Sequence, residues 1–365
     1  MASLKSLKIL FLIEYFSPHI GGVERVAQEV GKRLARKGHQ IYVFTTEEEK
    51  HVGLFRTYSY HGMTITRMRV PNVAGRYIFA LISFPILFLK FSDTDIIHSA
   101  NNYTVALPAW IFAKLTGKKV TISFWELWGR RWFSWLPPWS APLHWMYESL
   151  IRLLPFDASF VPSRFVRSQM GKRSVILAPL GGRALRFSRA RRQILRRMLH
   201  LKREFVFLYY GRIGLSKGVD ILLQAFRRLV KYHKDVRLYL IVPPDQIGQV
   251  NVSIDEQVHV LPSVSDSDLS SYLSLADAVV IPDRTAAFGL NALEVSQMGR
   301  PLVVTTAGAL PEVSFGRVIC VRPGSVPSLL VGLGKALQGR WTRIPAKRFS
   351  WGETSRIYET VFQSL

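Results

Sequence analysis

The sequence predicts a two-domain α/β protein built on parallel sheets. Three observations lead there. The chain has 365 residues, more than one hydrophobic core usually organises. Apolar, β-type runs alternate with stretches of helical spacing. That alternation pauses after "PLGG" and starts afresh at Glu204, which gives domains 1–182 and 183–349.

In the first half, "KILFLI" (8–13) is a buried-type strand with a charged tail ahead of it. Gly21 and Gly22 form the loop that follows. Val23, Val26, Ala27, Val30 and Leu34 then recur at helical spacing, and Gly38 stops that helix. "QIYVFTT" (40–46), "DIIH" (95–98), "KVTISF" (119–124), "ASFVPS" (158–163) and "SVILAP" (174–179) are the later strands. The second half opens on "EFVFLYYGR" (204–212). A helix follows with Val219, Leu222, Leu223, Phe226 and Val230 inward. "VRLYLIV", "VHVLP", "DAVVIP", "PLVVTT" and "RVICV" are its further strands. The "SDSD" cluster (265–268) reads as a helix N-cap.

Composition narrows the function. One cysteine, Cys320, excludes an internal disulfide framework and a thiolate metal cluster. The N-terminal apolar run is broken by Glu14 and has no small-residue cleavage site, so no signal peptide is expected. The longest apolar candidate, Tyr77 to Leu89, contains Pro85 and is shorter than the roughly 20 residues a spanning helix needs. A net charge of +24 calls for an anionic partner: nucleic acid, an anionic membrane surface or phosphorylated ligands. From 183 to 203 there are nine basic residues and no acid.

Ligands of open α/β sheets bind beyond the carboxyl ends of the strands, and two such domains are expected to share a cleft. The Gly21-Gly22 loop suits close approach to an anion at a helix N-terminus, or is simply a tight turn. It lacks the GxGxxG pattern of a dinucleotide site. In "YYGRIGLSKGVD" (209–220), Arg212 and Lys217 flank one strand end and suit a diphosphate clamp. Phe288 and Gly289 open a short helix, where the Gly289 and Leu290 amides could hold the same diphosphate. Glu294 lies one turn further in and could accept the two hydroxyls of a ribose. "DTD" (93–95) precedes its strand and is not read as a metal site.

These motifs, in this order, resemble the retaining nucleotide-sugar glycosyltransferases of family four. Those enzymes have the GT-B fold, two facing Rossmann-like domains with a C-terminal helix that crosses back to the first. The likeness rests on the GR…KG turn, "ADAVVIP" (276–282), Glu294 as the second acid of an E-x7-E helix, and "GRPLVV" (299–304). It extends to the closing "FSWGETSRIYETVF" (349–362) and to "IGGVERVAQEVGKRLARKGHQIYVFT" (20–45). The resemblance implies that residues 350–365 return to the first domain and that the anomeric configuration is retained. Arg212 and Lys217 would neutralise the leaving diphosphate, Glu294 would bind the ribose, and the Gly21-Gly22 loop would lie beneath the donor phosphates. It also implies a nucleotide-sugar co-substrate of unassigned base, no separate cofactor, and no metal, because the cations do that electrostatic work.

The sequence departs from the family pattern in four places. Ala286 stands where the first acid of E-x7-E belongs, Trp125 where a histidine is usual, Leu180 in place of an asparagine, and "IVPPDQ" in place of a glycine-rich turn. His98, as a substitute polar contact, and Glu126, as a sugar or acceptor contact, are candidates, although a histidine placed like His98 is more often a satisfied structural residue.

Six tryptophans between Trp125 and Trp145, interleaved with Pro137, Pro138 and Pro142, suit a membrane headgroup zone; the alternative is a core insertion. The reading is therefore a transferase acting on a lipid-linked acceptor, peripheral to the cytosolic membrane face. A non-catalytic relative acting as a binding or scaffold subunit is the rival. No nucleic-acid reader motif is present.

Overall fold

The structure is a computed structural model that describes residues 6–19, 21–47, 53–71, 74–171, 174–250 and 256–365; most of the expected N-terminal charged tail lies outside them. Strand β1 (Lys8–Leu12) is buried over nearly its whole length, as a central parallel strand covered on both faces must be. Helix α1 (Gly22–Arg36) turns Val26, Ala27, Val30 and Leu34 onto that sheet, the stripe its spacing dictates. The chain continues through β2 (Gln40–Glu47), β3 (Phe55–Tyr60), β4 (Met63–Arg69) and α2 (Gly75–Lys90). Next come β5 (Ile96–Ser99), α3 (Ala106–Thr116) and β6 (Lys119–Ser123). Helices α4 (Trp132–Trp135) and α5 (Ala141–Leu153), then β7 (Ala158–Val161), α6 (Arg164–Gln169) and β8 (Ile176–Leu177), complete this stretch.

The sheet order is β3-β4-β2-β1-β5-β6-β7-β8, parallel except for the β3–β4 hairpin. That hairpin was not anticipated. Its turn is the pair His61-Gly62, both at positive φ (51° and 81°), between the two short strands.

Helix α7 (Arg189–Met198) leads into β9 (Phe205–Tyr210), α8 (Val219–Leu229), β10 (Val236–Val242), β11 (Val258–Pro262) and α9 (Asp266–Leu275). Then follow β12 (Ala278–Ile281), α10 (Leu290–Gln297), β13 (Leu302–Thr305), α11 (Leu310–Val313), β14 (Gly316–Val321), α12 (Val326–Leu337) and β15 (Thr342–Ile344). The second sheet runs β11-β10-β9-β12-β13-β14-β15, and only β14–β15 is antiparallel. Its core joins Phe207, Leu222, Phe226, Leu238, Leu240 and Leu333. Ser265 caps α9 by accepting the Asp268 amide at 3.2 Å.

The chain divides between Leu180 and Gly181, two residues before the expected boundary, and Ser350–Leu365 groups with the first unit. The closing helix α13 (Trp351–Ser364) is capped by Ser350 and held there by core contacts. Tyr358 stacks on Phe160 with ring centroids 4.0 Å apart, and its hydroxyl lies 2.7 Å from that of Ser123. Thr354 donates to the Pro179 carbonyl at 2.6 Å.

Candidate functional site

In the second unit, the chemistry gathers at the carboxyl ends of the adjacent strands β9, β12 and β13. The chain leaves β9 through Gly211 at φ +141°, a conformation that side-chain-bearing residues rarely adopt. The turn 211–217 is then tied down from several directions. Tyr209 donates to the Arg212 carbonyl at 2.6 Å, and the Ile213 amide donates to Gln246 at 2.7 Å. Gln246 belongs to the "PPDQ" segment, which thus acts as a brace for the cationic turn.

Arg212 is exposed, and among the described residues no ion pair engages it. Lys217 ends a short 3-10 turn and meets Asp283 at 2.5 Å. Asp283 is buried just past β12, and its carbonyl accepts the Thr305 hydroxyl at 2.6 Å. Beside it, Arg284 forks onto Asp220 (2.8 and 2.6 Å) and donates its own amide to the Ser216 carbonyl. The two predicted cations therefore lie on one turn, one open to solvent and one held by a buried carboxylate. Burial, and then the negative charge of Asp283, raise the Tyr209 phenol well above its ordinary pKa, so it stays a neutral donor.

Helix α10 begins where expected, with Gly289 as N-cap at φ +94°. The backbone conformation favours glycine, and a Cβ there would also press on the Leu310 side chain, 2.5 Å from its Cδ2. Leu290 begins the helix, whose first turn leaves amide donors without helical acceptors. Phe288 is buried edge-on against Phe349, with centroids 5.7 Å apart, and acts as a packing group.

Glu294 is placed differently from the expectation. It is 1% exposed and already saturated. Arg183 donates Nε at 2.8 Å and its backbone amide at 3.3 Å to Oε1 and Nη2 to Oε2 at 2.7 Å, and Tyr210 donates to Oε2 at 3.0 Å. Arg183 Nη1 also reaches Asp266 at 2.8 Å. Burial opposes the charge on Arg183, but the bonds and charge of Glu294 outweigh it and hold its pKa above the ordinary range. Each carboxylate oxygen offers about two acceptor directions. A diol at Glu294 therefore requires Arg183 to yield. Arg183, Tyr210, Asp283 and Asn291, which bonds the Tyr210 carbonyl at 2.7 Å, were not singled out from sequence. Ala286 is buried, and its carbonyl accepts the Ala309 amide at 2.9 Å.

In the first unit, Gly21 is the extended N-cap of α1 and Gly22 its first residue. The Glu24 carboxylate folds over this loop; a Cβ on Gly21 would meet its Oε2 at 2.0 Å, and His19 Nδ1 lies 3.0 Å from Oε1. The helix thus supplies its own anion where a phosphate was expected. A buried carboxylate, Glu14, follows β1 and accepts from the Asn101 amide and the Thr104 hydroxyl. The sequence marked Glu14 only as an interruption.

His98 does not present a free imidazole. It is buried on β5, with Nδ1 2.8 Å from Thr121 and Nε2 3.1 Å from Ser123, among Phe11, Phe160, Tyr358 and Phe362. Burial pushes its pKa down to about 3, so it is a neutral core group at physiological pH. Glu126 is half-buried and accepts the Trp128 indole at 3.1 Å.

The tryptophan segment also departs from expectation. Trp125 and Trp132 are buried, and Trp128 packs on both Trp132 and Trp135 with centroids 4.6 Å apart. The cause is Glu148, a buried carboxylate that accepts the amides of Trp128 and Gly129 and the Trp132 indole at 2.8–3.0 Å. Of the six, Trp139 and Trp145 are exposed. Most of the exposed apolar surface here is aliphatic: Leu81 and Leu89 on α2, Leu143 and Leu153 on α5. Among the described residues, no helix is long and apolar enough to cross a membrane.

Two Rossmann-like units, each a mostly parallel sheet with alternating helices, are the architecture of GT-B glycosyltransferases. The comparisons with known proteins agree. A model described as "Glycosyltransferase Family 4" matches residues 20–179, and one described as "Glycosyl transferases group 1" matches 204–338. The chain belongs to this glycosyltransferase family. It is 32% identical over 164 residues to the MMP alpha-(1->4)-mannosyltransferase of Mycolicibacterium hassiacum, which covers 39% of this chain and 40% of that protein. It is 33% identical over 120 residues to D-inositol 3-phosphate glycosyltransferase 1 of Catenulispora acidiphila, covering 29% of each. The matches thus span two fifths or less of these relatives' lengths. Among solved structures, Anabaena Alr3699/HepE in complex with UDP and glucose superposes with a TM-score of 0.76 at 16% identity, over 98% of this chain and all of that one. Sucrose-phosphate synthase from Thermosynechococcus elongatus gives 0.74 at 18% identity, over 98% and 94%. At such identities these two superpositions speak to the fold alone.

Proposed function

We propose that this protein transfers a sugar from a nucleotide-diphosphate donor to a lipid-linked acceptor at an anionic membrane surface. The observation that carries this reading is the convergence of Arg212, Lys217 and the open first turn of α10 at the carboxyl ends of β9 and β12. A guanidinium, an ammonium and oriented amides suit the charge that grows on a departing diphosphate. Lys217 would exchange Asp283 for the phosphate, and the ribose diol would take the place of Arg183 at Glu294. With these cations stabilising the leaving group, the transfer needs no metal. The bond to the anomeric carbon loosens first, and the acceptor hydroxyl attacks from the same face, passing its proton to the departing diphosphate oxygen, so the configuration is retained. The similarity to the mannosyl- and inositol-phosphate glycosyltransferases favours a hexosyl donor. The exposed leucines of α2 and α5, with Trp139 and Trp145, supply an apolar face for the acceptor's membrane.

Arg212→Ala and Lys217→Ala are expected to lower kcat/KM by about 3–4 kcal/mol each, the scale of one lost preorganised donor. They would be assayed against a panel of nucleotide sugars and polyprenyl-phosphate or glycolipid acceptors, with chelator present. Near-wild-type turnover in both variants would refute the clamp. In the same panel, loss of affinity for 2′-deoxynucleotides tests the diol, and the product's anomeric NMR coupling tests retention. The buried Ala286, in place of the family's sugar-facing acid, favours a second reading: a donor-binding subunit without turnover. Tight nucleotide-sugar binding with neither transfer nor hydrolysis would select it.

A further inference from the structure

Helix α7 is built inside out. Its inward side carries arginines: Arg192 donates to the carbonyls of Ser274 (3.1 Å) and Leu275 (2.7 Å) and pairs with Asp277 at 2.6 Å. Arg196 donates to the carbonyls of Lys202 and Glu204, both at 3.0 Å. The first set closes the C-terminal end of α9, where unpaired carbonyls attract a cation. With the inward side taken by charge, the helix buries none of its residues. Its apolar stripe at i, i+4 and i+8, namely Ala190, Ile194 and Met198, faces water instead; Ile194 is 54% and Met198 68% exposed. Arg189 and Arg197 are exposed on the same helix, within the stretch of nine basic residues and no acid.

Solubility and internal packing do not account for an outward aliphatic stripe on so basic a helix. One partner meets both halves of that surface. An anionic bilayer offers acyl chains for Ile194 and Met198 and headgroup phosphates for the guanidinium groups. Nucleic acid would use the arginines but not the aliphatic stripe. We infer that α7 is an interfacial anchor by which the second unit itself engages anionic lipid. This site is separate from the apolar face of the first unit and goes beyond the membrane contact proposed above.

The test is vesicle co-sedimentation of the full chain, without donor or acceptor, on 30% phosphatidylglycerol in phosphatidylcholine and on phosphatidylcholine alone. Each basic residue near an anionic surface contributes about 1 kcal/mol, or about fivefold in partition. Arg189→Gln with Arg197→Gln is therefore expected to lower partition onto anionic vesicles by roughly 30-fold. Ile194→Ser with Met198→Ser should lower the part of the binding that survives high salt, leaving the share carried by the apolar face of the first unit. All four side chains are exposed, so unchanged melting is expected and serves as the folding control. Wild-type partition in both double variants would overturn the proposal. So would an effect confined to an RNA gel shift or to oligomeric mass. Because no sugar transfer is read, that failure would leave the transferase reading standing, and loss of activity on a soluble acceptor would leave this one standing.

Discussion

Two bidentate ion pairs in the second unit, Arg183 through Nε and Nη2 and Arg284 through Nη1 and Nη2, differ chiefly in burial, which makes them a useful comparison. Arg183 forks onto Glu294 at 2.8 and 2.7 Å, and Arg284 forks onto Asp220 at 2.8 and 2.6 Å. The Glu294 and Arg183 side chains are 1% and 17% exposed, whereas those of Asp220 and Arg284 are 55% and 24% exposed. Glu294→Gln keeps the shape and removes the charge. Whichever oxygen the new amide nitrogen replaces, it sets a donor against a donor of Arg183, since both oxygens receive one. Breaking a buried pair costs about 3–5 kcal/mol, and the lower end applies because Arg183 keeps Asp266. Asp220→Asn breaks an exposed pair and should cost about 0.2–1 kcal/mol. For a unit of this size, 1 kcal/mol moves Tm by about 2–4 °C, so the expected shifts are roughly 6–12 °C for Glu294→Gln and at most about 4 °C for Asp220→Asn. Calorimetry without nucleotide reads both. If the two variants fall within about 1 kcal/mol of each other, burial is not what gives the Arg183 pair its strength, and the reasoning fails.

Two further outcomes are expected. His98 has a folded pKa of about 3 against 6.5 when unfolded, so the unfolded chain binds the extra proton between those values. Its contribution is complete above pH 6.5 and is lost as pH falls toward 3. Between pH 7 and 5 the loss is about 2 kcal/mol, and His98→Gln should remove that part of the slope in urea titrations. An unchanged slope would contradict a buried neutral imidazole. Gly308→Ala should destabilise by about 3 kcal/mol or more, because φ is +54° and the new Cβ would lie 2.1 Å from the Ala286 carbonyl, backbone against backbone. Gly299→Ala, at φ +70° with nothing within 4 Å, should cost only about 1 kcal/mol in the same denaturation assay. Equal costs would mean that the contact at Gly308 relaxes.

Much of the fold was legible because local periodicity and global packing agree. The inward faces of α1 and α8 follow directly from their spacing, and Ser265 caps its helix by a purely local bond. The β3–β4 hairpin was missed because its turn, His61-Gly62, lies in a stretch without strong apolar contrast. At the candidate site, Arg212 and Lys217 stood out because they flank a strand end. Arg183 did not, because it resembles eight basic neighbours, and its partner is 111 positions away.

The sequence by itself determined the two α/β units, most of their parallel strands and the family, since these depend on hydrophobic period and on motifs in a fixed series. Tertiary structure alone decided which charges are already spoken for. It put Arg183 on Glu294, Glu24 over the glycine loop, His98 in a core and Glu148 among the tryptophans. The reason is physical. A side chain's type sets what it can bond, but burial and the partner brought in by the fold decide whether that capacity remains open to a ligand.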